Sequence, residues 1–215
     1  MNDQKSEVSI PTGKENIEGT IEIPSGARAI VLFAHGSGSG RFSPRNNYVA
    51  RLINKRGIAT LLMDLLTAKE EIIDEQTAKY RFDIDLLARR LVDATIWLQN
   101  APATTNLIVG YFGASTGAAA ALIGAAKLPD KVKAVVSRGG RPDLAAEHLS
   151  KVRAPTLLIV GGDDFEVLEL NKEALRQIHA EKKLEVVFGA THLFEEPGKL
   201  QEAAGLAIDW FEKHL

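Results

Sequence analysis

The sequence contains no cysteine, which excludes disulfide bridges and thiolate metal sites as supports of the fold and requires that any nucleophile be something other than sulfur. It has no marked excess of either charge: 26 Lys and Arg stand against 28 Asp and Glu, a formal net charge of -2, with both signs mixed along the chain. So balanced a chain offers no electrostatic footprint for nucleic acid or an anionic membrane surface. No stretch approaches the roughly 20 apolar residues that a membrane-spanning helix requires, and the opening MNDQKSEVSI lacks the apolar core of a secretion signal. A cytoplasmic protein is the expectation. No internal repeat, low-complexity tract or Pro/Ser-rich linker marks a boundary, so residues 1–215 are expected to form one domain. Monomer and homodimer are both compatible with this composition.

What the chain does have is apolar material, 45% of residues, distributed in two alternating kinds of run. EVSI and NIEGTIEI have the pattern of an opening antiparallel pair. AIVLFA, ATLLMDL, NLIVGYF, KAVVS, PTLLIV and LEVVF are near-continuous apolar runs, as in parallel strands buried on both faces. Helical patterns lie between them. In SPRNNYVARLINKRG, Ser43 is placed to cap, Pro44 to occupy the first helical position and Gly57 to stop the helix. In DIDLLARRLVDATIWLQN the set Ile84, Leu87, Leu91, Ala94 and Leu98 recurs every three or four residues and forms one apolar stripe. Further helical patterns cover residues 116–127, 166–180 and 199–214. The alternation predicts a mostly parallel, doubly wound α/β sheet with an antiparallel N-terminal edge. The polar stretch TAKEEIIDEQTAKYR reads as a surface excursion with some helix in it.

In open parallel sheets ligands bind at the carboxyl ends of the strands. There, after NLIVGYF, the chain reads Gly113-Ala114-Ser115-Thr116-Gly117, a G-x-S-x-G spacing with a strand before it and a helix after it. A serine on so sharp a turn adopts strained backbone angles, and its neighbours two positions away must be nearly free of side chain for strand and helix to approach. The competing reading is that Ser115 only caps the helix. A serine hydroxyl needs a base to take its proton and an acid to orient that base. Asp163 and Asp164 follow PTLLIV, and His192 follows LEVVF; spacing alone does not choose between the two acids. Of the other histidines, His148 and His179 fall in helical patterns with solvent-facing positions and His214 is next to the terminus. His35 opens HGSGSG after AIVLFA and is expected to hold that loop. The Ser37 and Thr116 amides are the candidate oxyanion donors. Arg41 stands where G-x-G-x-x-G would need its third glycine, and no P-loop motif occurs, so nucleotide binding is set aside. No His or acid cluster has metal-ligand spacing, so neither metal nor other cofactor is expected.

With these residues in place, FAHGSGSGRFSPRN, RFDIDLLARRL, GYFGASTGAAAAL, VVSRGGRPDL, PTLLIVGGDDFEVLELN and GATHLFEEPG together make nearly the whole chain resemble the dienelactone hydrolase branch of the α/β-hydrolase superfamily. The resemblance implies that the triad acid is the second residue after the glycine pair, Asp164. The chain departs from it in one respect: dienelactone hydrolases proper use a cysteine nucleophile, and none is present, so the serine version is similar to carboxylesterases. Members of a related subgroup are fused to phosphoribosyltransferase-like domains, which implies a metabolic setting.

The expected activity is hydrolysis of a small carboxylic ester, lactone or thioester by Ser115, His192 and Asp164. A non-catalytic binding protein on the same fold, and a peptidase or acyltransferase, are the alternatives. SRGGRPDL places Arg138 and Arg141 after a strand, and Arg41 and Arg45 lie in the GSGSGRFSPR loop. These arginines are candidates to bind an anionic group of the substrate; salt bridges to Asp143, Asp163 or surface glutamates are the equal alternative. Too few residues separate Ser137 from Thr156 for a large cap domain, so an open site for small substrates is expected.

Overall fold

The computed structural model describes residues 4–215; residues 1–3 of the expected domain lie outside the described residues. Strands β1 (Gln4–Thr12) and β2 (Glu15–Ile23) alternate exposed and buried positions and pair antiparallel from Thr12 opposite Glu15 to Gln4 opposite Ile23. Gly13, at φ 65°, supplies the left-handed backbone that the two-residue turn between them requires. Then follow β3 (Ala29–Ala34), β4 (Ala59–Met63), β5 (Ile108–Ala114), β6 (Val132–Arg138), β7 (Thr156–Gly161) and β8 (Lys182–Val187). They form one eight-stranded sheet in the order β1-β2-β4-β3-β5-β6-β7-β8. β2 is antiparallel to β1 and β4, and every later pairing is parallel.

Helices cover both faces, as uninterrupted apolar strands demand. α1 (Pro44–Asn54) and α6 (Lys199–His214) bury Val49, Ile53, Ala207 and Phe211 against Val31, Phe33 and Phe112. α3 (Ile84–Asn100) and α4 (Thr116–Lys127) lie on the other face, where Leu87, Leu91, Ala94 and Leu98 of the expected stripe pack against the sheet and the alanines of α4. α5 (Phe165–Gln177) joins that layer through Ala174. Ser43 caps α1, accepting from the Asn46 N–H at 3.3 Å, with Pro44 at the start and Gly57 at φ 78° just beyond the end.

One expectation needs correction, and another is borne out by a formed helix. β8 is not buried on both faces: it is the sheet's outer strand, Lys182 and Lys183 are exposed, and only Val187 is fully covered. The polar excursion contains a formed helix, α2 (Ala68–Thr77), started by a capping box between Thr67 and Glu70. It is tied down by charge. Asp74 is buried and accepts from the Tyr80 N–H at 2.6 Å, the Arg81 N–H at 2.9 Å and Arg81 Nε at 2.7 Å. Between β6 and β7 there is only a 3-10 segment, Pro142–Lys151, and no cap domain covers the strand ends.

Candidate active site

The parallel strands all end at one edge, so the turns after β3, β5, β6, β7 and β8 converge there. Ser115 stands between β5 and α4 at φ 52° and ψ -124°. That is left-handed backbone, which costs a residue with a side chain roughly 1–3 kcal/mol. β6 and the turn after it hold it: the Ser115 N–H donates to the Arg138 carbonyl at 3.3 Å, and the Ser115 carbonyl accepts from the Arg141 N–H at 3.1 Å. The flanking glycines are required by space. A Cβ on Gly113 would lie 2.7 Å from the Ala118 nitrogen, and one on Gly117 would lie 2.6 Å from the Ala34 carbonyl carbon. Although Ser115 occupies the N-cap position of α4, its side chain makes no capping hydrogen bond. Its Oγ lies 3.3 Å from His192 Nε2.

Asp164, after β7, repeats the pattern: it sits at the N-cap of α5 and caps nothing. Its Oδ2 lies 2.6 Å from His192 Nδ1, whereas Asp163 faces solvent. The structure therefore brings Ser115, His192 and Asp164 together and leaves Asp163 out. His192 lies in the loop after β8. Phe194, buried at φ 57°, anchors that loop, and Gly139 at φ 51° packs so closely that a Cβ there would be 3.0 Å from the His192 carbonyl oxygen. With Nδ1–H donating to Asp164, Nε2 is left as the acceptor that faces the serine hydroxyl.

The loop after β3 forms the opposite wall. His35 is buried; its Nδ1 donates to the Gly36 carbonyl at 2.9 Å and its Nε2 accepts from the Leu65 N–H at 3.0 Å. Burial lowers its pKa, so the ring stays neutral and joins the loop to the segment after β4. The Ser37 N–H donates to Thr116 Oγ1 at 3.0 Å, and the two hydroxyls lie 3.0 Å apart. Thr116 N–H is among the first amides of α4, which have no intrahelical partner.

The arginines separate. Arg141 forms a two-pronged pair with Asp143, at 2.9 and 2.8 Å. Arg41 pairs with Asp64, and with Glu7 at 3.5 Å, on the far side of the loop, in a neighbouring cleft of about 540 Å³. Both take the salt-bridge alternative, because an acid stands within reach of each. Arg138 does not: it lines the cleft of about 200 Å³ that contains Ser115 and His192. It is only 7% exposed. Burial, then repulsion from Arg45, brings its pKa down to about 10. Taking a guanidinium out of water costs several kcal/mol unless a partner compensates. Its partners here are Asn46 Oδ1 at 3.3 Å and the face of Phe112, 5.7 Å to the ring centre.

Sequence reasoning passed over Asn46, Gly139 and Phe194. A buried Asn on the inward face of α1 was the available signal for the first; the other two become legible only once the loops are folded. His214, next to the terminus, packs against Trp210 with ring centres 4.4 Å apart, its side chain 9% exposed and away from the cleft. His179 is exposed and His148 half-buried, both away from the cleft. Among the described residues no group of three or more His, Asp or Glu is placed to hold a metal, and no helix is long and apolar enough to cross a membrane.

Comparison with known proteins shows the family and the fold. A model of the dienelactone hydrolase family matches residues 17–214. The crystal structure of a dienelactone hydrolase from Anabaena variabilis is 56% identical, with a TM-score of 0.98 over 100% of both chains. Est1E from Butyrivibrio proteoclasticus shares the fold at 14% identity, with a TM-score of 0.79 over 96% of this chain and 98% of the other. Two curated proteins from Mycobacterium tuberculosis strains, provisionally named phosphoribosyl transferases, are each 56% identical over 209 residues. That match takes in 97% of this chain but only 46% of each of theirs, so the chain spans about half their length.

Proposed function

The chain belongs to the dienelactone hydrolase family of α/β-hydrolases, and from that premise we propose that it is a serine hydrolase cleaving a small carboxylic ester, lactone or thioester. The observation that carries the proposal is the unbroken line from Asp164 Oδ2 through His192 to Ser115 Oγ, at 2.6 and 3.3 Å, on three different strand-end turns. Nothing in the packing of a mere binding protein calls for a strained serine whose hydroxyl declines the cap position and faces an imidazole.

In this reading His192 Nε2 takes the Ser115 proton as Oγ adds to the carbonyl, and Asp164 holds Nδ1 protonated and stabilises the imidazolium that forms. The Thr116 N–H and the Ser37 N–H receive the developing oxyanion, the latter exchanging its bond to Thr116 Oγ1 for one to the substrate. Imidazolium returns the proton to the leaving group, and water, activated by the same base, frees the acyl group. A cleft of about 200 Å³ lies below the roughly 300–1,000 Å³ of ordinary ligand sites, which favours small acyl groups or substrates that stay partly exposed.

The transferase name belongs to proteins about twice as long as this chain, whereas this chain itself superposes end to end on the Anabaena hydrolase. The hydrolase reading therefore follows this segment. A panel of p-nitrophenyl esters, lactones, thioesters and anilides tests it: turnover of short esters or lactones, abolished in Ser115→Ala, is expected. Turnover of anilides alone would move the protein to the peptidases, and turnover retained in Ser115→Ala would reject the serine mechanism.

A further inference from the structure

The cleft beside Ser115 contains a buried cation with no acid. Arg138 ends β6; its Nη2 donates to Asn46 Oδ1 at 3.3 Å, and its Nη1 is buried without a hydrogen-bond partner. Among the described residues no carboxylate lies within ion-pair distance of it, in contrast to Arg41, Arg81, Arg90 and Arg141. The cleft wall that Arg138 shares includes several side-chain donors. Ser43 and Arg45 belong to the cap and first turn of α1, an eleven-residue helix whose positive dipole end faces this side, and Ser39 adds a second hydroxyl. Arg45 is close enough that its charge opposes that of Arg138. Arg45 Nη1 pairs with Glu195 at 2.9 Å; Glu195 is exposed, and a pair in water binds weakly enough to be exchanged. Asp164 is committed to His192.

We propose that Arg138, Arg45, Ser39 and Ser43 form a subsite for a phosphate monoester group, so that the ester or lactone opened at Ser115 belongs to a small phosphorylated metabolite. The proposal rests on the hydrolase reading and names its substrate class. A planar carboxylate satisfies one guanidinium fork and leaves the second cation unmatched. A phosphate presents three acceptor oxygens in a tetrahedral arrangement and about -1.5 to -2 charges, enough for two guanidinium groups and the hydroxyls beside them. The phosphate takes no part in bond making: it seats the substrate with its carbonyl over Ser115 and leaves with the product.

Titration calorimetry with phenyl phosphate, and with benzoate as the carboxylate of similar size, tests this on the wild type, Arg45→Ala, Arg138→Lys and Arg138→Met. Expected are measurable binding of phenyl phosphate to the wild type, at least tenfold weaker binding to Arg45→Ala and Arg138→Lys, and none to Arg138→Met; benzoate binds the wild type at least tenfold more weakly than phenyl phosphate. Circular dichroism checks folding, and the first two variants carry the test if Arg138→Met does not fold. Phenyl phosphate that fails to bind, binds all variants alike, or is matched by benzoate overturns the proposal. Labelling of wild-type Ser115 by a fluorophosphonate keeps the two claims apart: labelling without phosphate binding rejects the subsite alone, and phosphate binding without labelling rejects the hydrolase reading.

Discussion

His192 Nδ1 lies 2.6 Å from Asp164 Oδ2, while Asp163, one residue earlier on the same turn, faces solvent. The two adjacent acids should therefore differ sharply on substitution. In Asp164→Asn the amide favours the wrong imidazole tautomer, a change that costs about 10⁴-fold in kcat in serine proteases. Asp163→Asn should stay within about twofold of wild type, since it changes only an exposed charge far from contact with the base. Steady-state kinetics on one short-chain p-nitrophenyl ester checks both; equal losses in the two variants would contradict the assignment.

Gly117 and Gly205 make a second contrast. A Cβ on Gly117 would press on the Ala34 carbonyl, whereas Gly205, inside α6 and exposed, has nothing within 4 Å. Gly117→Ala should destabilise by about 1–3 kcal/mol or more, because backbone rather than a flexible side chain must move. Gly205→Ala should stabilise by about 0.5–1 kcal/mol through helix propensity. Urea unfolding at neutral pH measures both.

His35 predicts how stability responds to acid. Burial lowers its folded-state pKa below the ordinary 6.5, so the unfolded chain binds a proton that the folded chain refuses. Its contribution is complete above pH 6.5 and is lost as the pH falls from there toward the depressed folded value. The wild type should lose unfolding free energy between pH 7.5 and 5, a window above the carboxylate range of about 4. His35→Gln should be less stable at pH 7.5 but show a shallower slope. Some slope persists from His214, whose pKa burial also lowers. Identical slopes would show that His35 titrates normally.

Asp74 and Arg81 fasten α2 against the body of the protein. Asp74 is buried and Arg81 Nε sits 2.7 Å from its Oδ2. Arg81→Met strands a buried carboxylate, a loss of about 3–5 kcal/mol when no other donor compensates. The Tyr80 and Arg81 amides remain, so the lower end is expected, with the damage confined to residues 68–81. Limited proteolysis should cut this segment first in the variant and leave it intact in the wild type.

The sheet was legible because buried parallel strands leave long apolar runs, α1 because its capping Ser43, Pro44 and Gly57 coincide with the chain's actual turns, and α4 because glycines at 113 and 117 mark the turn that starts it. β8 read as an inner strand because LEVVF is apolar whether or not a further strand covers it; lateral neighbours leave no local trace. Ser115 and His192 were legible from spacing and order, since glycines at 113 and 117 answer to a steric need that any sequence must meet. Spacing left Asp163 and Asp164 open, and only the family resemblance selected Asp164; the fates of the four arginines were not legible. Arg141 finds Asp143 only two residues on, a pairing the sequence offered, but whether Arg41 finds Asp64 while Arg138 finds no acid depends on which loops meet, and that is a tertiary fact.

The most direct test of the central claim is reaction with a fluorophosphonate followed by peptide mass mapping. Wild-type protein should carry one adduct, on the peptide containing Ser115; Ser115→Ala should carry none, and His192→Ala should label orders of magnitude more slowly while folding normally. An unlabelled wild type, or an adduct on another residue, would contradict the account.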